Sequence, residues 1–219
     1  ITHTPTIRTI YLLGDSHAGH YGSVMTYLSK GKEFNFIAHP QGDGLKLLNN
    51  GTEEYILAPL RKYKKNFKQG DIVIFSAHIE KYENEQNWIK QYETFIQQTQ
   101  NTGIKFILIS PTPVFKEVIR GYTCQEEWYR PSWAISKLCF SQISKIEWFA
   151  SNNVPLSNIK KFLSTNPKVS YINAFSVLCP EPFCKNHDNN FLIYKDGAHL
   201  TSYGAMKLQN TIETFIEAK

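Results

Sequence analysis

Short apolar runs rich in β-branched and aromatic residues alternate with longer amphipathic stretches along the chain. The apolar runs predict five strands, at Thr9–Leu13, Phe34–Ala38, Ile72–Phe75, Phe106–Ile109 and Val169–Ile172. The stretches between them predict helices at Tyr21–Ser29, Glu53–Phe67, Glu85–Asn101 and Trp133–Asn152. Parallel strands need long crossover connections, and helices commonly supply them. The pattern therefore predicts an α/β fold with a doubly wound parallel sheet of about five strands.

The third predicted helix shows the periodicity most clearly. In "NWIKQYETFIQQTQ" the large apolar side chains recur at helical spacing, which predicts one shared buried face formed by Trp88, Ile89, Tyr92, Phe95 and Ile96.

Two segments interrupt the alternation of strands and helices. Pro111–Pro131 and Cys179–Asn190 are rich in proline, cysteine and polar residues, and each follows a predicted strand. We therefore expect two long loops at the carboxyl edge of the sheet, where open α/β folds bind ligands.

The four cysteines favour disulfides over a metal site. Cys179 and Cys184 lie close together in "LCPEPFCKN", and no pair of C-x-x-C motifs at zinc-ribbon spacing is present. Pairing the nearest cysteines predicts the disulfides Cys124–Cys139 and Cys179–Cys184, which indicate an oxidising compartment. Four reduced thiols in a cytosolic protein remain the alternative.

Charge and hydropathy argue against a nucleic-acid partner and against a membrane-spanning segment in this stretch of sequence. The net charge of +5 is modest for 219 residues and the lysines are scattered, so we expect no nucleic-acid partner. No apolar run reaches the ~18 residues of a membrane span, and the N-terminus has no basic region typical of a signal peptide. We expect a soluble piece excised from a larger protein.

The first strand ends in a group of reactive side chains. In "TIYLLGDSHAGHYGSV" the apolar run stops at Gly14, and Asp15, Ser16 and His17 follow directly. Turns at strand ends are where scaffolds carry reactive groups, so Ser16 is a candidate nucleophile. We interpret Asp15 as a residue that fixes this turn by accepting backbone N–H groups.

The other end of the chain supplies a base and its partner. "YKDGAHLTSYGAMKL" places Asp196 three residues before His199, ahead of a helix capped by Thr201 or Ser202. A carboxylate in such a turn reaches the imidazole Nδ1 and leaves Nε2 for a serine. We expect Ser16, His199 and Asp196 to meet at the carboxyl edge of the sheet.

Together these two motifs resemble the SGNH (GDSL-type) hydrolase superfamily. The similarity is greatest to one branch, the extracytoplasmic SGNH domain that is fused to bacterial membrane O-acyltransferases. These acyltransferases modify surface polysaccharides. The residues that carry this similarity are "LLGDSHAGHY", "LIYKDGAHLTSYGA" and a C-x4-C pair upstream of the second motif. The resemblance implies a flavodoxin-like three-layer α/β/α fold, with residues 1–219 forming a single domain of a larger membrane acyltransferase. It also implies Ser16, His199 and Asp196 as the catalytic triad and a periplasmic location, tethered to the inner membrane. The implied partners are an acyl donor, a carbohydrate acceptor and the membrane acyltransferase domain, with no cofactor.

The oxyanion-binding residues depart from the superfamily pattern. Members usually carry a glycine after the second strand and an asparagine after the third. Here Gly42, with Gly44 as a second choice, follows the second strand, and no asparagine follows the third. His78 occupies that neighbourhood, where it is either an oxyanion donor or a structural residue.

Other histidines and aromatic residues admit two interpretations. His17 and His20 have the spacing of metal ligands and could combine with Asp196 or His199, but the superfamily pattern explains those two without a metal, so we expect none. Trp128 and Tyr129 are candidates for stacking on a sugar, whereas Trp133 and Trp148 are expected in the core or at its rim. We expect Arg130 with Trp128 and Tyr129 in one loop, and His187, Asp188 and Asn189 in the other, to frame Ser16.

Two functions fit these features. The first is O-acyl transfer, with acetyl the expected group, to a cell-envelope polysaccharide, or ester hydrolysis on it, through an acyl-serine intermediate. The second is a catalytically weak module that binds or orients glycan for a membrane acyltransferase domain.

Overall fold

A computed structural model describes residues 7–30, 34–40, 57–78, 85–115, 124, 139–189 and 191–217. Its central sheet is formed by β1 (Arg8–Gly14), β2 (Phe34–Pro40), β3 (Ile72–Ser76), β4 (Lys105–Ile109) and β6 (Val169–Ile172). The strand order is β2-β1-β3-β4-β6, and every neighbouring pair is parallel. This confirms the predicted fold class and all five predicted strands.

The described helices are α1 (Ser16–Gly19), α2 (Gly22–Ser29), α3 (Leu57–Tyr63), α4 (Glu85–Thr99), α5 (Lys145–Ser151), α6 (Asn153–Thr165), α7 (Ala174–Leu178), α8 (Ser202–Met206) and α9 (Gln209–Glu217). A 3₁₀ turn, Lys64–Asn66, extends α3. Among the described residues, four further short strands lie outside the central sheet: β5 (Gln142–Ser144), β7 (Phe183–Lys185), β8 (His187–Asp188) and β9 (Phe191–Leu192).

Helices cover both faces of the sheet because its strands are apolar on both sides. The alternate residues Ile10 and Leu12 of β1 belong to one core cluster, and Tyr11 and Leu13 belong to the other. The first cluster includes residues of α2, α5, α7, α8 and α9, and the second includes residues of α3, α4 and α6. A strand buried on both faces reads as a continuous apolar run in the sequence. The fold is thus a three-layer α/β/α sandwich.

The predicted face of α4 lies in the second core cluster. Trp88, Tyr92 and Phe95 are buried, and Ile89 and Ile96 pack against them. Phe75 of β3 contacts both Tyr92 and Phe95 through edge-to-face ring pairs.

The predicted helix Trp133–Asn152 is wrong at residues 142–144, and its residues 133–138 lie outside the described part of the chain. Residues 142–144 form β5, which pairs antiparallel with β7, and α5 begins only at Lys145. The Ser144 hydroxyl accepts the Glu147 backbone N–H at 3.1 Å, so the sequence Ser-x-x-Glu caps a new helix at this point. The N-terminal part of the predicted helix Glu53–Phe67 lies outside the described residues.

Both predicted disulfides are present, with Cα–Cα distances of 5.4 Å for Cys124–Cys139 and 4.6 Å for Cys179–Cys184. Asn186 joins the two cysteine segments. Its side chain is fully buried, accepts the Ser141 N–H at 2.9 Å and donates to the Cys139 carbonyl at 2.8 Å. The predicted loop 179–190 therefore contains a short strand, β7, that pairs with a segment about forty residues earlier in the chain, and a second one, β8, that pairs with β9.

Candidate active site

The turn after β1 is shaped by a glycine. Gly14 has φ of 140°, and a Cβ atom there would collide with the Ser76 carbonyl of β3. The close approach of the two strand ends therefore requires glycine. It brings the residues after β1 next to those after β3, at the point where the strand order reverses direction.

Asp15 holds these two turns together. Its carboxylate is 3% exposed and accepts the backbone N–H of His17 and that of His78, both at 2.8 Å. The first bond caps α1 and the second reaches the segment after β3. Asp15 thus has the turn-fixing role expected from the sequence.

Ser16, His199 and Asp196 come together at the carboxyl edge of the sheet. His199 Nε2 lies 2.8 Å from Ser16 Oγ, and His199 Nδ1 lies 2.9 Å from Asp196 Oδ2. Asp196 Oδ1 also accepts the backbone N–H groups of Ala198 and His199, at 2.8 and 2.7 Å. The Asp-x-x-His turn thus fixes the carboxylate against the ring of its own loop.

The environment of Asp196 keeps it ionised. Partial burial opposes the charge, but the N–H groups of Ala198 and His199 and the adjacent His199 ring outweigh it and hold the pKa of Asp196 below its usual value. An ionised carboxylate favours a proton on His199 Nδ1. The lone pair of Nε2 then faces the Ser16 hydroxyl, as a general base requires.

A cavity of about 370 Å³ opens beside Ser16 and His199. Polar residues form most of its lining, among them Ser23, Lys195 and Ser202. The Ser23 hydroxyl is buried and makes no hydrogen bond within the described part of the chain. It is therefore available to bind a polar group of a ligand in the cavity.

His20 lines the same cavity as a neutral ring. Burial first, and then the charges of His199 and Lys195, lower the pKa of His20 to about 3. Its ring lies edge-on to His199, with 5.2 Å between the ring centroids. His17 contacts both His20 and His199, at centroid distances of 4.5 and 5.4 Å.

The sequence profile of the family described as "SGNH domain (fused to AT3 domains)" matches residues 2–214. The chain belongs to this family. Among curated protein sequences, none matches the chain significantly.

Solved structures show the same fold as this SGNH domain. The periplasmic domain of a lipopolysaccharide acetyltransferase from Salmonella ser. Paratyphi A superposes with a TM-score of 0.62 at 17% identity, over 96% of this chain and 84% of that one. A GDSL-like lipase from Bacteroides thetaiotaomicron gives a TM-score of 0.54 at 15% identity, over 96% of this chain and 88% of that one. Among the residues that the structure describes, no helix has both the length and the apolar character needed to cross a bilayer.

Several predicted site residues of the SGNH domain fall outside the described residues. These are Gly42, Gly44, Trp128, Tyr129 and Arg130, together with Trp133. Their proposed roles remain predictions. Trp148 is described and is 1% exposed, stacked on Phe175 at 4.0 Å between ring centroids, so it belongs to the core.

His78 lies close to the site, and its ring packs against the neighbouring histidine ring of His17. Its backbone N–H is bound by Asp15, and its ring stacks on His17 with 4.4 Å between centroids. The backbone of His78 therefore serves the turn, and only its side chain is left as a candidate oxyanion donor.

A second cavity of about 380 Å³ is lined by His187, Asp188 and Asn189, among other residues. None of these three belongs to the described lining of the cavity beside Ser16. The Asp188 carboxylate binds Lys207 and the Tyr203 hydroxyl. These contacts hold the segment against α8 and lower the pKa of Asp188. The expectation that this loop frames Ser16 is therefore not met.

Proposed function

We propose that the domain is a serine-dependent acyltransferase or esterase in which Ser16 is the nucleophile, His199 the general base and Asp196 the residue that orients the base. The observation that carries this proposal is the 2.8 Å contact between Ser16 Oγ and His199 Nε2, with Asp196 on the opposite ring nitrogen. A serine hydroxyl is a weak nucleophile until a positioned base removes its proton.

The reaction proceeds in two steps. Ser16 Oγ attacks the ester carbonyl carbon while its proton passes to His199 Nε2, and the imidazolium then protonates the leaving alkoxide. This leaves an acyl group on Ser16. In the second step His199 removes the proton of an incoming hydroxyl, which attacks the acyl-serine and releases Oγ with its proton returned. A sugar hydroxyl as acceptor gives acyl transfer, and water gives hydrolysis.

The tetrahedral intermediates need donors for the developing oxyanion. We assign this role to the backbone N–H of Ser16 and to Gly42, with the His78 ring as a further candidate. The asparagine common in the superfamily does not follow β3, where Ala77 and His78 stand instead. Loss of one such donor costs ~3 kcal/mol of transition-state stabilisation, so we expect slow turnover with simple esters.

The proposed substrate is a cell-envelope polysaccharide, and the acyl group is acetyl. Fusion to AT3 domains in the family and the fold shared with a periplasmic lipopolysaccharide acetyltransferase domain support this assignment. The polar cavity beside Ser16 suits a hydroxyl-rich acceptor and a short acyl group.

We propose that residues 1–219 form one domain that works outside the cytoplasm, in the periplasm, with a membrane acyltransferase domain of the same protein. Its two disulfides fit an oxidising compartment.

A serine substitution tests the mechanism. We expect Ser16→Ala to abolish hydrolysis of p-nitrophenyl acetate, and a serine-directed phosphonate to add one mass label to the unmodified domain but none to the variant. Ser157→Ala, on the exposed face of α6, is the matched control and keeps both properties. Equal turnover by the Ser16 variant would contradict the assignment.

Acyl-chain preference tests the substrate class. Because most of the residues that line the described cavity are of polar types, we expect kcat/KM for the acetyl ester to exceed that for the octanoyl ester by at least ~10-fold, or roughly 1.4 kcal/mol of transition-state binding. The measurement is a p-nitrophenyl ester series from two to eight carbons. Equal or faster turnover of the octanoyl ester would exclude a site built for acetyl groups.

The alternative function is a glycan-orienting module with a weak triad. The missing asparagine after β3 is the observation that favours it. In that case the domain is inert toward every ester and binds glycan equally well after Ser16→Ala.

A further inference from the structure

Three histidine rings surround one point beside the proposed nucleophile. His17 and His20 come from α1, directly after Ser16, and His199 comes from the turn before α8. One ring nitrogen of each lies within 4.8 Å of those of the other two. Among the described residues, these three form the one group of at least three potential metal-ligating side chains whose ligand atoms lie this close together.

Burial makes the cluster unusual. His17 is 2% exposed and His20 is 7% exposed. Both ring nitrogens of His20 are buried and have no hydrogen-bond partner within the described part of the chain. A buried polar group without a partner is energetically costly, so an imidazole in this position points to a ligand that would satisfy it.

The donor atoms specify the class of ligand. Neutral imidazole nitrogens bind Zn²⁺ and related transition metals, whereas Mg²⁺ and Ca²⁺ require oxygen ligands. Three histidines and one open position is a common arrangement for Zn²⁺. Zn–N bonds of about 2.0–2.1 Å place the nitrogens of a tetrahedral site about 3.4 Å apart. The three histidine nitrogens lie within 4.8 Å of one another, so modest rotations of the rings would bring them to that distance.

The partner of His199 matches the surroundings of a metal-binding histidine. Asp196 accepts from His199 Nδ1 at 2.9 Å, which leaves Nε2 as the nitrogen that can bind a metal. Ligand histidines in metal sites commonly make such a contact to a carboxylate on the far ring nitrogen, which fixes the ring and its tautomer.

Contrary to the expectation from the sequence, we propose that His17, His20 and His199 form an inhibitory site for a divalent transition metal, with Zn²⁺ as the expected ion. The metal takes the lone pair of His199 Nε2, and the hydrogen bond from Ser16 Oγ to that nitrogen is lost. Ser16 keeps its proton, and water fills the fourth position on the metal. The inhibitory effect rests on the proposed function, whereas the metal site itself does not.

This arrangement makes the nucleophile and the metal compete for one nitrogen. Free Zn²⁺ above the dissociation constant switches the triad off, and a chelator restores it without any covalent change. The four cysteines are all in disulfides, so thiols do not compete for the metal under non-reducing conditions.

The first test measures binding without reference to activity. Tag-free, EDTA-dialysed domain is titrated with Zn²⁺ against a chromophoric chelator, and with Co²⁺ while its visible absorption is recorded. We expect one ion per chain. His20→Gln and His199→Gln should each weaken Zn²⁺ binding by at least ~10-fold, because each removes one of three protein ligands. Ser16→Ala should retain the site, and His187→Gln, in the second cavity, is the matched control that should bind Zn²⁺ like the unmodified domain.

The second test measures inhibition as the ratio of each protein's rate with Zn²⁺ to its own metal-free rate. Zn²⁺ at ten times its dissociation constant should leave about one-tenth of the p-nitrophenyl acetate activity of the unmodified domain. His20→Gln should need at least ~10-fold more Zn²⁺ for the same effect. Thermal unfolding of each metal-free variant checks that it is folded.

The outcomes separate the two proposals. Absence of stoichiometric binding by the unmodified domain, or binding that survives both histidine substitutions, overturns the metal site. Binding without inhibition, or activation by Zn²⁺, overturns its inhibitory role. A metal-free domain that binds Zn²⁺ as expected but hydrolyses no ester contradicts the proposed function and leaves the metal site standing.

Discussion

Two aspartates flank the reactive residues and differ in what their carboxylates accept. Asp15 precedes Ser16 in the sequence, yet both of its described acceptor contacts are to backbone N–H groups of two separate turns. Asp196 divides its contacts between the backbone of its own turn and the His199 ring. Only the second arrangement can set the tautomer of the base.

Asp196→Asn separates orientation from folding. An amide in place of the carboxylate can donate to Nδ1, which moves the ring proton to Nε2 and removes the acceptor for the Ser16 proton. We expect kcat for p-nitrophenyl acetate to fall by ~10²–10⁴-fold. Steady-state kinetics measure this loss, and circular dichroism confirms the fold.

Asp188→Asn is the matched control, because Asp188 lies in the second cavity and binds Lys207 and Tyr203. Its kcat should remain within about twofold of the unmodified domain, since a rim carboxylate contributes little beyond its own ion pair. A similar loss in both variants would show that Asp196 acts through general stability.

At the scale of elements, the β5–β7 pair connects two parts of the chain that contain the disulfides. Ser144 pairs with Phe183 and Gln142 with Lys185, and Cys184 stands in the middle of β7. Asn186 continues the connection with its side-chain bonds to Ser141 and Cys139, and its backbone carbonyl accepts from Ile193 and Tyr194. One buried asparagine thus links both cysteine segments to the residues that lead from β9 to the Asp196–His199 turn.

Asn186→Ala is therefore expected to destabilise the domain. The substitution leaves the buried Cys139 carbonyl and the partly buried Ser141 N–H without their side-chain partner, and an unsatisfied buried group costs about 1–3 kcal/mol. We expect a loss of at least about 2 kcal/mol in the free energy of unfolding, measured by urea denaturation with the disulfides intact. Asn153→Ala, exposed on α6, should change it by less than about 0.5 kcal/mol. Equal values for the two variants would show that the amide is not a structural link.

The sequence correctly predicts the strands and helices whose own pattern of apolar residues is enough to identify them. The five central strands are apolar on both faces, and α4 has a clear helical period. The three-residue strands β5 and β7 are too short for any period and exist because they pair with each other. The start of α5 was available in the sequence as Ser-x-x-Glu at residues 144–147, a signal that the helical pattern around it obscured.

At the scale of the whole molecule, the position of the candidate site follows from the sheet. Ser16 follows β1 and His78 follows β3, the two strands that flank the reversal of strand order, so their place at the carboxyl edge could be predicted. The lining of the cavity could not. Ser23, His20 and Lys195 reach it only because α1, α2 and the turn before α8 pack side by side, which depends on tertiary contacts with no local signature.

The hydrogen bond between Ser16 and His199 joins positions 183 residues apart in the chain. Such a contact cannot form until the whole segment between the two residues has been synthesised and their two regions of the chain have packed together. Under the proposed mechanism, a nascent or truncated chain that stops short of His199 carries a serine with no base. Under this proposal the order of synthesis acts as a safeguard, since Ser16 has no general base until the Asp196–His199 turn has been made and has docked beside it.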